Sequence, residues 1–395
     1  MGYYINKISA AGKIAADDTI LIKDVPATAG SKMLESFKPL FSAEAIVRLE
    51  NAGYEIAGKT NVGEFGLDLM GETSYFGAVT EDGKLTGAAA SLIAKGEVKA
   101  ALSVDLNGAP RRAAAVTGTD FIKPTYGTVS RYGIIACACS GEQIGVAAAN
   151  AEDAAEILAV IAGNDKKDGT SLPAEKYEYS LDKNVAEMKI CIIKELYDLA
   201  SADVKAWIDS YAAALKAKGA AVDTVSLSCV ADAQTTWQIL MAAETCNNLS
   251  RFDGVKFGYR TAQYKNIDEL YVRSRTEGLN FLTKATIIYG SDVLSKSKYD
   301  SCYDKSLRMR RIVCDKVREI LASYDAILTP ACGKAEYKPY DIADAFEKVF
   351  EESVFTAIPS ITGMPAMVTK GVQLIADSYN DSILLSIANS VEKEA

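Results

Sequence analysis

No histidine occurs among the 395 residues, so any general base must be a lysine, a carboxylate, a tyrosine or a cysteine. Ser-His-Asp and Cys-His catalysis are thereby excluded, as are the common histidine-containing zinc sites, and no metal is expected. The eight cysteines, in so long a chain, read as reduced thiols rather than a disulfide framework. Cys137 and Cys139 are spaced C-x-C inside an apolar run and fit small core residues. The densest group of chemistry-bearing residues lies between Ser103 and Gly133, SVDLNGAPRRAAAVTGTDFIKPTYGTVSRYG. Elsewhere Lys23 ends a β-rich run, Thr86 and Ser91 bracket a string of alanines, and Arg275 sits within SRTEG.

The 103–133 stretch resembles, nearly residue for residue, the pattern D-T-G-G-S-I-R-x-P then G-L-K-P-T-Y-G-R-V-S-R-Y-G of the amidase signature family. Within that family it is most similar to amidotransferase A subunits. GKTNVGEFGLDLMGETSYFG carries the likeness through Lys59, Asn61, Glu64, Phe65, Thr73 and Phe76-Gly77, and ETCNNLSRFDGVKFGYR and ELYVRSRTEG extend it. The resemblance implies amide hydrolysis by a Ser-cis-Ser-Lys relay. On that template the lysine at the end of the strand G-V-P-x-x-I-K-D falls on Lys23, the relay serine on Leu85, and the nucleophile on Ala109. Both hydroxyls are missing, and a methyl group cannot attack a carbonyl. Thr86, beside Leu85, offers a hydroxyl with no nucleophile to serve.

The resemblance also implies an oxyanion hole from the backbone N–H groups of Asn107, Gly108 and Ala109. It places Arg275 where the α-carboxylate of glutamine is gripped, and Val354 where an aspartate holds the amino group. With Lys23 and Arg275 left facing the cleft, a small carboxylate or amide is the expected ligand. Loss of a serine nucleophile costs on the order of 10⁶ in turnover. The first reading is therefore a catalytically degenerate relative that binds a ligand or a partner. The alternative is an active amidase or glutaminase component of an amidotransferase that uses Thr86, Ser91 or Cys139. A third is a scaffold for the amidotransferase's tRNA-binding partners. No cofactor is expected.

The elements that must position these residues alternate between strand and helix. Ile20, Leu21 and Ile22 make the run before Lys23. Ser42 reads as the cap of a helix with Ala45, Ile46 and Leu49 on its buried side, followed by a strand at 55–57. The glycine- and serine-rich family loop reads here DGKLTGAAASLIAKGEV, and AAASLIAK suggests a plain helix. Asn150 caps a helix with Asp153 three residues on, and Ile157, Leu158 and Ile161 line it. A strand at 188–194, a helix through Val204, Trp207, Ile208, Tyr211 and Leu215, and a strand at 221–225 complete a strand-helix-strand unit. This order predicts an α/β protein, a sandwich of helices on both faces of a large mixed β-sheet, as the resemblance also implies. Residues 1–395 are read as one domain, with 165–184 a long surface loop.

Composition bounds the partners. The chain is 49% hydrophobic and 24% charged, with a net charge of −9 and a pI near 5.0. That balance argues against a phosphate-tracking surface, so direct nucleic-acid binding is not expected. The basic run 305–318 alternates Leu307, Met309, Ile312 and Val313 with arginine, as an amphipathic helix with a solvated face does. No run approaches the roughly 18 apolar residues of a membrane span, and the first residues lack a signal-peptide core. A cytoplasmic protein with a protein partner or a homo-oligomeric state is the expectation.

Overall fold

The computed structural model describes residues 2–173 and 179–393, so 174–178 of the expected 165–184 loop lie outside the described residues. The strands are β1 (Tyr4–Lys7), β2 (Ile14–Asp17), β3 (Ile56–Thr60), β4 (Thr80–Glu81), β5 (Lys84–Leu85), β6 (Ala100–Asp105) and β7 (Asp120–Lys123). They continue with β8 (Gln143–Ala148), β9 (Lys189–Ile193), β10 (Ala221–Val225), β11 (Ala326–Pro330), β12 (Ala366–Thr369) and β13 (Val372–Ile375). Eleven of them form one sheet in the order β1-β3-β2-β6-β8-β7-β12-β13-β11-β9-β10, while β4 and β5 pair apart as a short ribbon. The sheet is mixed: β3-β2-β6 and β11-β9-β10 run parallel within themselves, and the strands between them pair antiparallel.

Alternation along the central strands divides their side chains between two faces. On one, Ile14, Ala16, Leu102, Ile122, Ile144 and Val146 pack with the buried sides of the helices Glu44–Asn51, Ala151–Ile161, Ala202–Ala217 and Asp381–Glu392. On the other, Ala15, Ala101, Phe121, Ala147 and Val368 pack beneath Ala88–Ala94, Ala109–Thr117 and Val230–Leu249. The predicted α/β/α sandwich is therefore what the chain builds. On the second face the alternation ends in polar residues. Asp17 follows Ala15, Ser103 and Asp105 follow Ala101, and Lys123 follows Phe121, all of them buried. These strand ends form the floor of the site.

The first strand lies earlier than the 17–24 run suggests. The strand proper stops at Asp17; Ile20 makes only an isolated bridge to Ile134, and Asp24 has φ 63°. Asp18 turns the chain out of the sheet. Its carboxylate accepts from the backbone and hydroxyl of Thr28, and the buried Lys59 ammonium lies 3.6 Å from its other oxygen. Ser42 does not cap the next helix: Ala43 holds that position, and the Ser42 hydroxyl accepts the Lys23 backbone N–H at 3.0 Å. The expected helices at 88–94 and 151–161 form, the second with Asn150 accepting from the Asp153 backbone.

Candidate functional site

Ala109 opens the helix Ala109–Thr117 directly after β6, and its position follows from Gly108. Gly108 has φ 84°, a left-handed conformation that favours glycine, and a Cβ built there would come within 2.4 Å of the Thr356 side chain. The turn is pinned from below by Asp105, which accepts the Gly108 N–H at 3.1 Å and the Arg111 guanidinium at 2.6 and 3.2 Å. Arg111 is fully buried and spends its other donors on the Thr356 carbonyl, Gln373 and Ser360 at 2.8–3.0 Å. A bidentate pair so completely bonded is an anchor for the turn rather than a ligand-binding group.

Above this anchor Ala109 and Pro110 face a cavity of about 50 Å³, enough for on the order of four waters. Its walls include Val62, Met70, Val104, Ala113 and Ala147 and the start of the helix Ala88–Ala94; its polar side chains are Asp17, Asn61, Asp68 and Ser103. Asp17 accepts from Thr60 Oγ1 at 2.8 Å, Ser103 Oγ at 3.1 Å and the Val104 N–H at 3.1 Å. Burial nevertheless pushes its carboxyl up to about 6, against those bonds and the Lys59 charge. Asp68 accepts from the Thr73 N–H and hydroxyl, both at 2.8 Å, and from the Gly71 N–H at 3.0 Å. Burial and the neighbouring Glu72 raise it to about 7. Asn61 is spent: its amide donates to the Gly77 carbonyl and its oxygen accepts from Ser74.

Of the residues to which the sequence gives a catalytic or ligand-binding role, only Ala109 lines this cavity. Lys23 is exposed, on the turn beyond Asp18, which corrects the expectation of a lysine inside the cleft. The strand that reaches the cavity ends in Asp17-Asp18, so the letters I-K-D match six residues downstream of the strand end. Leu85 is 1% exposed in the hydrophobic core, its backbone N–H bonded to the Tyr337 carbonyl. The Thr86 hydroxyl pairs with that of Ser91 at 2.7 Å. Arg275 is also corrected: it donates to the carbonyls of Leu249 and Phe252 at 3.1 and 2.8 Å, closing the end of the helix Val230–Leu249. The expected pair of cleft cations is therefore absent from the cavity wall.

The buried Asn107 side chain accepts from Trp237 Nε1 at 3.0 Å, which fixes it away from a ligand, and the Gly108 N–H is held by Asp105. Val354 belongs to the core. Cys139 is half-buried, and burial raises its thiol, as it does that of Cys137; neither is prepared as a thiolate. Among the described residues no group of three or more cysteine, aspartate or glutamate side chains could hold a metal. The sequence reading missed Asp17, Ser103 and Asp68. A signal for the first was present in the alternation of I-A-A-D-D, which places Asp17 on the same face as Ala15.

A family model described as Amidase matches residues 14–385. The chain belongs to the amidase family, and its eleven-stranded sandwich is the fold of that family's solved structures. Its relatives include the A subunit of glutamyl-tRNA(Gln) amidotransferase from Lachnoclostridium phytofermentans, 35% identical over 419 residues, covering 99% of this chain and 85% of the relative. The protein of the same name from Agathobacter rectalis is 37% identical, covering 96% of this chain and 80% of that one. The crystal structure of the A subunit of glutamyl-tRNA(Gln) amidotransferase from Thermotoga maritima superimposes with a TM-score of 0.82 at 26% identity, over 100% of this chain and 88% of the other.

Proposed function

We propose that this chain is a relative of the amidotransferase A subunits that holds a ligand at the Ala109 cavity without hydrolysing it. The observation that carries the reading is the Ala109 methyl on the cavity wall, at the position the resemblance gives to the nucleophile. Leu85, buried in the core, leaves no hydroxyl at the relay position. Asp17 at the end of β2 takes the place of the lysine base, and its carboxyl is already bonded to three donors.

A second reading, an active amidase or glutaminase component of an amidotransferase using other residues, is the one that the relatives' names favour over the first. One geometric feature sides with it. Ser103, the sole hydroxyl among the residues lining the cavity, donates to Asp17, as a serine beside a general base would. The deciding experiment measures ammonia release from glutamine, asparagine and acetamide, with fluorophosphonate labelling, for the wild type, Ser103→Ala and the pair Leu85→Ser with Ala109→Ser. The expected result is no ammonia above background and no labelling in any of the three, since Asp17 remains where a lysine is needed. Turnover in the wild type that Ser103→Ala abolishes would establish the second reading.

The relatives are named as subunits of an amidotransferase, and from this we extend a protein partner to the chain. We read residues 1–395 as one domain, supported by strands at 4–7 and 372–375 that share a sheet. We place the protein in the cytoplasm. In support, all eight cysteines are free, and no helix among the described residues is long and apolar enough to cross a membrane.

A further inference from the structure

On the face of the sheet away from the Ala109 cavity, two acid side chains meet with too few donors. Asp120 opens β7 and alternates with Ile122, so it lies beneath the helices Ala151–Ile161, Ala202–Ala217 and Asp381–Glu392. It is 3% exposed, and among the described residues no N–H or hydroxyl reaches its Oδ2. Asp120 pairs with Ala148 on one side; on the other, the register that sets Val368 against Phe121, continued by one residue, brings Thr369 opposite Asp120. Glu392, the last residue of the helix Asp381–Glu392, falls between these neighbours. Its carboxylate accepts the Thr369 hydroxyl at 3.3 Å and the Ala151 N–H at 3.1 Å. Ala151 opens its helix, an end that favours negative charge, so a proton shared by the two acids belongs on Asp120.

We propose that Asp120 keeps a proton and donates it to Glu392, and that this bond is a pH-dependent latch for the C-terminal end of the helix Asp381–Glu392. Two ionised carboxylates in one buried place repel, whereas one retained proton turns the contact into a charge-assisted O–H···O bond. The other groups around Asp120 do not replace that proton. Tyr211, from the helix Ala202–Ala217, is buried with an unpartnered hydroxyl, and burial and the two acids hold it as a neutral phenol. Lys370, from the β12–β13 turn, donates to the Val391 carbonyl at 3.5 Å, and Lys393 pairs with Glu152 at 3.0 Å. Lys218 lines the groove beside Tyr211 with Lys370 and Trp207. Burial first, and then Glu392, raise the Asp120 carboxyl well above the usual carboxylate range, against Thr369 and Lys370. The opposite end of the helix is held without a shared proton: Asp381 accepts the Thr125 N–H and hydroxyl at 2.9 and 2.6 Å. As pH rises the Asp120 proton passes to solvent, the two carboxylates repel, and the last turn is released while the first stays. The closed latch binds a proton that the open one loses, so opening grows by up to about tenfold per pH unit until the closed form is itself deprotonated.

The test is amide hydrogen exchange of the complete chain between about pH 5 and pH 8, corrected for the intrinsic pH dependence of exchange, on the wild type, Asp120→Asn and Glu392→Gln. In the wild type, protection of the amides at 388–392 should fall at least about tenfold across that range, while those nearer Asp381 keep theirs. In either variant the new side-chain amide supplies a donor at every pH, so the fall should disappear. Protection at 388–392 that is level or rises with pH in the wild type would overturn the latch, and so would an equal fall in both variants. Should Asp120→Asn fail to fold by circular dichroism, Glu392→Gln decides alone, with an unchanged fall counting against the proposal.

Discussion

Asp17 is a carboxyl whose folded environment favours its protonated form, and that preference leaves a mark on stability. Burial raises it from 3.8 to about 6. A carboxyl raised on folding contributes stability that is full below its unfolded value and is lost as pH rises through the folded one. The window here is therefore roughly pH 4 to 6, and the loss is on the order of 2–3 kcal/mol. Asp68, raised to about 7 beside Glu72, extends the decline upward, while Lys59 faces Asp17 from β3 and moderates it. Urea unfolding at intervals from pH 4 to 7 should show Asp17→Asn losing less stability across that range than the wild type. Equal slopes would mean that Asp17 is not desolvated as described. At this scale legibility was uneven. Ala109 is placed by Asp105, Gly108 and Arg111 around it, and Leu85 by the count back from GEV at 96–98. Lys23 could not be placed, because three matching letters outweighed the alternation that ends the strand at Asp17. Arg275 failed for another reason: a helix-borne arginine carries no mark of whether it meets a ligand or two backbone carbonyls.

The element on which the site depends is the turn from β6 into the helix Ala109–Thr117. Its geometry needs the positive φ of Gly108, and its orientation needs the Asp105–Arg111 pair, both partners fully buried. Removing one member leaves the other charge unpaired in the interior. Arg111→Met should therefore cost about 3–5 kcal/mol, and adding Asp105→Asn should return a part of that loss. A double-mutant cycle by urea unfolding reads the coupling directly; additive costs would show the pair to be incidental. Helices with strong patterns, such as the one capped by Asn150, were legible because caps and buried stripes are local. The β4–β5 ribbon was not. Its strands are two residues each, and Leu85 is held by the Tyr337 carbonyl, more than two hundred positions away in sequence.

For the molecule as a whole, the strand and helix order was enough to foresee a layered α/β protein, but not how the strands are arranged. Consecutive segments such as 189–193 and 221–225 pair as neighbours, as local order suggests. The centre of the sheet does not obey that order: β12 and β13, nearly the last elements formed, lie between β7 and β11. Strand pairing across such separations leaves no periodic trace in either partner.

That late insertion has a consequence during synthesis. Until residues 366–375 leave the ribosome, β7 and β11 each carry one open row of backbone donors and acceptors, and no strand pairing joins the two halves of the sheet. The nascent chain must therefore wait, nearly complete, with two sticky borders in a crowded cell. A fragment ending at residue 365 should sediment as aggregate when expressed, or be held by chaperones, while the complete chain stays dispersed. Recovery of that fragment as a folded monomer would mean that the borders are shielded by something other than the closing hairpin.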